Sequence, residues 1–259
     1  MSTLSVILIA KNEEDNIQEC LSTVSWADEI VVVDAGSSDA TVEKAQAFTG
    51  KVFVRPWEGY GAAKNYAMSQ ASSEWILWLD ADERVTDALK DEIRRTIASP
   101  EDSTVAYSVP RKANFLGRWI RHCGWYLGRV TRLFRRGKGH FTDSKVHERL
   151  EIEGPQGNFS SDLLHYTDPT LSHYFEKFNK YTSLAAEELS EDDRQFGVGQ
   201  ITFRPLWTFI RMYFLKLGFL DGLPGFILCI LSSLYVFTKY AKLWEFSRRP
   251  TERRKDNER

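Results

Sequence analysis

"LSVILIAKNEEDNIQECLSTVSWADEIVVVD", residues 4–34, decides the fold class. Its first seven and last six residues are nearly continuous apolar runs rich in β-branched side chains. That is the pattern of strands covered on both faces, which need no polar alternation. Between them Ile17, Cys20, Leu21 and Val24 recur at i, i+3, i+4 and i+7, one stripe of an amphipathic helix. Strand, helix and strand in so short a span make a βαβ unit, which sets the two strands parallel.

The same grammar continues outward. "KVFV" (51–54) and "WILWL" (75–79) read as further buried strands. "DATVEKAQAF" reads as a helix with Asp39 as its N-cap. "GAAKNYAMSQA" and "DALKDEIRRTIA" are two more helices, the second with Leu89, Ile93 and Ile97 on one face. The expectation is an α/β fold, a Rossmann-like, mostly parallel sheet flanked by helices.

Composition narrows what such a chain does. Of 259 residues, 42% are apolar and 13% aromatic, enough for one large core with an appendage. The three cysteines, Cys20, Cys123 and Cys229, are scattered and lack C-x-x-C spacing, so neither a disulfide framework nor a zinc site is indicated. The N-terminal apolar run has a strand's length and no basic residue before it, so a cytoplasmic location is expected. The net charge of −2 conceals an asymmetry, about −8 over residues 1–200 and +6 over 201–259. Residues 111–149 carry eleven Lys and Arg against two acids, Asp143 and Glu148. An anionic ligand or a solvated basic face explains that bias equally well.

Acidic residues gather where strands end. Glu13 and Glu14 follow the first strand, Asp34 closes the second, and Asp80, Asp82 and Glu83 come at the end of "WILWL". In open α/β sheets ligands bind beyond the carboxyl ends of the strands. Converging carboxylates repel one another unless a cation or hydrogen-bond donors sit among them. An Asp-x-Asp pair on an extended segment suits Mg²⁺ or Mn²⁺, hard ions that keep coordination positions open for a diphosphate. The plainer alternative is that Asp and Ser after strands serve as turn and cap residues.

"SVILIAKNEEDNIQECLSTVSWADEIVVVDAGSSDAT" followed by "GYGAAKNYAMSQASSEWILWLDADE" resembles the nucleotide-sugar half of the family 2 inverting glycosyltransferases, over residues 3–95. The resemblance implies a GT-A fold, a nucleotide-sugar donor and a divalent cation. It implies that Glu13 and Asp34 lie against a uridine, with Asp34 at the base, and that Lys64 and Asn65 lie beside the nucleotide. Asp80 is then on the ribose and metal side, and Asp82 on the metal. "VHERL" (146–150) and "GFLDGLPGF" (218–226) are most similar to bacterial members that add a β-linked glucose, or a related hexose, to a heptose of the lipopolysaccharide inner core. That narrower likeness implies UDP-glucose as donor and a lipid-linked acceptor at the cytoplasmic face of the inner membrane. A family 2 enzyme acting on another envelope polysaccharide, and a non-catalytic nucleotide-sugar-binding or scaffolding protein, are the alternatives. A nucleotidyltransferase would want a Gly-rich basic loop after strand one, where this chain has the acidic "KNEEDN".

Inversion requires a base for the acceptor hydroxyl. Glu148 in "SKVHERL" is assigned that role, with Asp143 in reserve; simple pairing of Glu148 with Arg149 or Lys145 is the competing reading. His147 resembles the usual neighbour of the family's carboxylate, but no second His lies at metal spacing. Trp119, Trp125 and Tyr126 interleave with Arg118, Arg121, Arg129, Arg132, Arg135 and Arg136, a mixture suited to a phosphorylated glycan acceptor or to the donor diphosphate. No nucleic-acid-binding motif accompanies it. The sequence is therefore divided into a catalytic domain, 1–170, in donor (1–100) and acceptor (101–170) halves, and a helical extension, 171–259. Tyr174, Phe178, Tyr181 and Ala185 are expected on one stripe of its first helix. Gly222–Thr238 is free of charge for seventeen residues, at the lower edge of spanning length. A helix lying on an anionic membrane surface is expected; a spanning helix, or a helical core or dimer face, would satisfy the same pattern.

Overall fold

A computed structural model describes residues 2–99, 103–142, 149–191 and 197–248. They fall into two compact units, one within Met1–Asn114 and Tyr126–Thr167, the other within Phe115–Trp125 and Asp168–Arg259.

Unit one opens with β1 (Leu4–Ala10), α1 (Ile17–Ser22), β2 (Glu29–Asp34), α2 (Thr41–Gln46), β3 (Val52–Val54), α3 (Tyr60–Gln70) and β4 (Trp75–Asp80). The four strands lie side by side in the order β3-β2-β1-β4, all parallel. Register aligns their carboxyl ends: Ala10 of β1 pairs with Asp34, and Ile9 with Asp80. Alternation along β1 explains its continuous apolar run. Val6 and Leu8 pack into a cluster with α1 residues Ile17, Cys20 and Leu21. Ile7 points the other way, into a cluster with Val31, Val33, Ile76 and Ala67 of α3. Both faces are buried, as the β-branched composition anticipated.

The remaining strands of the unit pair mostly antiparallel, and apart from α4 this part was not legible from periodicity. After β4 come the three-residue β5 (Glu83–Val85), α4 (Asp87–Ile97), whose Leu89, Ile93 and Ile97 are buried, and β6 (Ala106–Phe115). A two-residue strand, β7 (Arg118–Trp119), lies within the span of unit two. β8 (Arg129–Arg135) runs antiparallel to both β4 and β6. β9 (Gly139–Phe141) and β10 (Leu150–Ile152) form a separate two-stranded ladder, and β11 (Gln156–Asn158) pairs with β6. β12 (Leu163–Asp168) is antiparallel to β5 and sets His165 opposite Glu83. The result is a mixed sheet flanked by helices.

Two local expectations are corrected. α2 starts one residue later than expected, with Ala40 at the N-cap position. Asp39, just ahead of it, accepts from Thr41 N and Oγ1 and from Glu14 N, so its carboxylate joins the two strand-end loops. The Asp80-x-Asp82 segment is not extended. Ala81 and Asp82 form a turn between β4 and β5, so the two carboxylates do not share one side of a strand.

Unit two contains α5 (Leu171–Glu191), α6 (Val198–Ile210), a π-helical turn Arg211–Leu215, a 3-10 turn Gly218–Asp221, and α7 (Gly222–Arg248). Tyr181 leaves the expected stripe of α5 and is exposed; Thr182 and Ala186 are buried in its place. Gly225 lets α7 approach its own preceding turn, because a Cβ there would lie 2.4 Å from Gly218 O. Gly218–Arg248 is long and apolar enough to cross a membrane.

Candidate active site

The carboxyl edge of the parallel strands carries two stitched loops. Asp34, fully buried, accepts from the amides of Gly36 and Ser37 and from Ser37 Oγ at 2.5 Å. Asn12 N donates to Ser37 Oγ, and Ser38 N donates to Asn12 Oδ1. Glu13 accepts from the Asn16 side chain, and its amide donates to Thr41 Oγ1. The loops after β1 and β2 are thus held together by short polar side chains, so both turn chemistry and ligand chemistry act on these residues.

At the end of β4 a buried guanidinium organises the acids. Arg132 of β8 donates through Nη2 to Asp80 Oδ2 at 2.7 Å and to Glu83 Oε1 at 2.5 Å. Its guanidinium carbon lies 3.5 Å from the Trp78 ring centroid, and Lys64 Nζ lies 4.2 Å from the same centroid. Arg132 and Glu83 are almost wholly buried, whereas Asp80 retains 44% of its side-chain exposure. Burial pushes the Glu83 carboxyl above the usual carboxylate range; Arg132 opposes this and the neighbouring Asp80 charge adds to it. Burial acts on Asp80 in the same sense, but Arg132, Lys64 and His165 outweigh it and hold its pKa below the usual value. Two acids three residues apart are pushed in opposite directions, and the more exposed one is kept ionised.

Beside them, Asp82 Oδ2 and His165 Nε2 stand 3.2 Å apart, with both side chains mostly buried. Tyr166 N donates to Asp82 O at 2.8 Å, which locks the turn to β12. A carboxylate oxygen and an imidazole nitrogen are ligand types that Mn²⁺ or Mg²⁺ accepts, and the partly exposed Asp80 carboxylate ends the adjoining strand. Cation bonds of about 2.1 Å put adjacent ligands about 3 Å apart, close to the Asp82–His165 spacing. Among the described residues no group of three His, Cys, Asp or Glu closes a metal site unaided. Asp82 and His165 therefore offer two ligands, and a cation held between them would need the rest of its coordination from elsewhere.

His165 and Glu83 had not been singled out as site residues, and Arg132 had been read as a phosphate ligand. The local signal for the first is a lone His in "LLHYTD", which only the long-range pairing of β5 with β12 connects to the acids. Lys64 and Asn65 do lie on this side of the sheet, on α3. Asn65 has both ends of its amide engaged: Nδ2 donates to Phe141 O, and Oδ1 accepts from Phe141 N. Several arginines of the basic stretch serve protein groups. Arg129 donates to Phe159 O, Arg135 pairs with Glu74, and Arg136 donates to Ser73 O. Trp119 and Trp125, with Arg118 and Arg121, fall in unit two. Glu148, Asp143 and His147 lie outside the described residues.

The Glycosyl transferase family 2 profile matches residues 5–149. The lipopolysaccharide core biosynthesis glycosyltransferase LpsC of Rhizobium meliloti (strain 1021) is 32% identical over 249 residues, covering 93% of this chain and 92% of its own. An uncharacterized glycosyltransferase of Rickettsia typhi is 29% identical over 258 residues, covering 95% of this chain and 88% of its own. Among solved structures, the mannosyltransferase PcManGT from Pyrobaculum calidifontis, in complex with GDP-Man and Mn²⁺, superposes with a TM-score of 0.54 at 14% identity. That alignment covers 94% of this chain and 88% of the other, a likeness of fold.

Proposed function

This chain belongs to glycosyl transferase family 2, and from that premise we propose that it moves glucose from UDP-glucose, with inversion, to a heptose of a lipid-linked lipopolysaccharide core acceptor. The observation that carries the reading is the alignment of Asp34 and Asp80 at one sheet edge, with Asp82 of the adjoining turn facing His165 of β12. The glucose and heptose assignments draw on the "VHERL" and "GFLDGLPGF" blocks, and the core acceptor also on similarity to a relative named for lipopolysaccharide core biosynthesis.

In this reading Asp34 and Glu13 face the nucleoside, and Lys64 and Asn65 lie beside the nucleotide. Asp82 and Asp80, with His165 beside them, would hold a Mg²⁺ or Mn²⁺ ion. That ion supplies Lewis-acid stabilisation of the charge that develops on the departing nucleoside diphosphate. Arg132 fixes the orientation of Asp80 and keeps it ionised. Glu148 takes the proton from the acceptor hydroxyl as that oxygen attacks the anomeric carbon from the face opposite the leaving group, with Asp143 in reserve. No covalent link to the protein forms. The reaction takes place at the cytoplasmic face of the inner membrane, where such acceptors are built.

The test is release of nucleoside diphosphate from UDP-, ADP-, GDP- and dTDP-sugars, with Mn²⁺ and with or without a heptose-bearing lipid acceptor. Acceptor-dependent UDP release from UDP-glucose is expected. Release from another sugar nucleotide would reassign the donor. Donor binding without turnover on any envelope acceptor would favour a non-catalytic binding protein.

A further inference from the structure

We propose that unit two docks on an anionic phospholipid leaflet through an apolar face shared by α6, the turn that follows it and the first half of α7, with the helices lying in the membrane plane. The face is defined by exposure. Phe203 is 73% exposed on α6, Leu215 61% in the turn and Leu223 69% on α7. Along α7 the exposed positions 223, 226, 230, 234 and 237 are Leu, Phe, Ile, Leu and Phe, and they follow the helical period. Trp207 adds an amphipathic ring suited to the headgroup boundary. Only 28% of the most apolar stretch of Gly218–Arg248 is buried, so this is not the core helix of a folded bundle. Contiguous exposed apolar surface of this kind marks an interaction site.

The neighbours of α7 argue against spanning. Lys242 Nζ donates to Asn179 O, Thr182 Oγ1 and Ser183 Oγ on α5. Arg204 of α6 donates to the Tyr240 hydroxyl. The second half of α7 is therefore tied to α5, whose exposed side bears Glu176, Lys180, Glu187 and Glu188. A spanning α7 would draw those charges into hydrocarbon. The part left, residues 222–237, is about 24 Å long at about 1.5 Å per residue, short of a core of about 30 Å.

The charges also set the orientation. Exposed Arg211 and Lys216 sit in the turn, where a tip-first hairpin would carry them deepest. With the helices flat, these two at one end and Lys239 and Arg248 at the other reach the headgroups by extending their stems along the apolar face. The excess of eleven basic over five acidic residues in 201–259 selects an anionic leaflet over a neutral one. This docking is a property of unit two, and it stands or fails separately from the transfer reaction.

The full-length protein should float with vesicles containing phosphatidylglycerol, less with pure phosphatidylcholine, and less in high salt. Trp207→Glu/Leu223→Glu should lower the floated fraction at least tenfold and Leu171→Glu on α5 should not, with circular dichroism unchanged in both. All three native cysteines are buried, so a nitroxide can be placed selectively on Leu215→Cys, Leu223→Cys or Leu234→Cys. The three labels should report similar, shallow depths. A steady increase in depth toward 215 would overturn the flat orientation. Depths that reach the far leaflet, with resistance to carbonate extraction, would replace it by a spanning helix. No flotation, together with a dimer in light scattering that Leu223→Glu dissolves, would show that a second copy covers this face and would overturn the proposal.

Discussion

Arg132 and Glu83 form an ion pair from which water is excluded, Nη2 to Oε1 at 2.5 Å, with side-chain exposures of 1% and 0%. The same nitrogen also holds Asp80, so one guanidinium neutralises two carboxylates at the end of β4. Removing it leaves the fully buried Glu83 with Arg111, 3.8 Å away and itself partly exposed, and leaves Asp80 with Lys64 and His165 as its neighbouring cations. Arg132→Met is expected to cost about 3–5 kcal/mol, the range for breaking a buried pair on one side. Glu83→Gln on that background should recover part of the loss, since it removes the more deeply buried charge. Urea unfolding of the four proteins of the cycle measures this; a single-variant loss below about 1 kcal/mol would show that water or relaxation replaces the pair.

At the opposite end of the strands Glu29 ties the sheet together. Its carboxylate accepts from Ser5 Oγ, Lys51 Nζ, and Ser72 N and Oγ. Partial burial raises its pKa, but the donors outweigh it and bring the group to about 2 from an ordinary 4.5. A carboxyl depressed in the folded state adds stability above its unfolded pKa and loses it as pH falls toward the folded one. Glu29→Gln should therefore destabilise the neutral protein by roughly 2–3 kcal/mol, and the difference from wild type should shrink between about pH 4.5 and pH 2. A stability gap independent of pH across that window would contradict the assignment.

What was readable in the sequence was the parallel half, because a strand covered on both faces writes itself as one apolar run and an intervening helix as a 3.6-residue stripe. β5 is three residues long and carries no such period, so the turn at Ala81–Asp82 looked like more of β4. Asp34 and Asp80 were identifiable because strand register brings residues at strand ends together without further information. Arg132, Glu83 and His165 depend on β8 against β4 and β12 against β5, pairings between segments about fifty and eighty residues apart, which no local pattern encodes. The Asn65 amide, bonded to both backbone groups of Phe141, is hidden for the same reason.

The Asp82–His165 pair gives a test of cation binding. Asp82→Asn keeps the shape of the side chain and removes its charge, and His165→Ala removes the facing nitrogen. Both should fold, as shown by unchanged thermal unfolding without ligand to within a few degrees. Each should weaken Mn²⁺-dependent UDP binding, measured by calorimetry, by at least tenfold, the lower range for loss of a contact to a metal. Unchanged Mn²⁺-dependent affinity in both variants would remove the cation from this corner of the sheet.

The base is the remaining assignment, and it concerns an acid in a segment otherwise rich in Lys and Arg. The ionised form of a carboxylate is the one that accepts a proton from the acceptor hydroxyl. Glu148→Gln preserves shape and removes the basic oxygen. Donor affinity should stay near wild type, because the nucleotide contacts are assigned to β1, β2, α3 and the turn after β4. Transfer to a heptose-bearing lipid acceptor should fall by about two to four orders of magnitude, the usual contribution of general-base catalysis. Donor calorimetry and transfer are measured side by side in wild type, Glu148→Gln and Asp143→Asn. Transfer that survives in Glu148→Gln and collapses in Asp143→Asn moves the base to Asp143. Survival in both leaves the deprotonation without a protein carboxylate from this segment and rejects the mechanism as drawn.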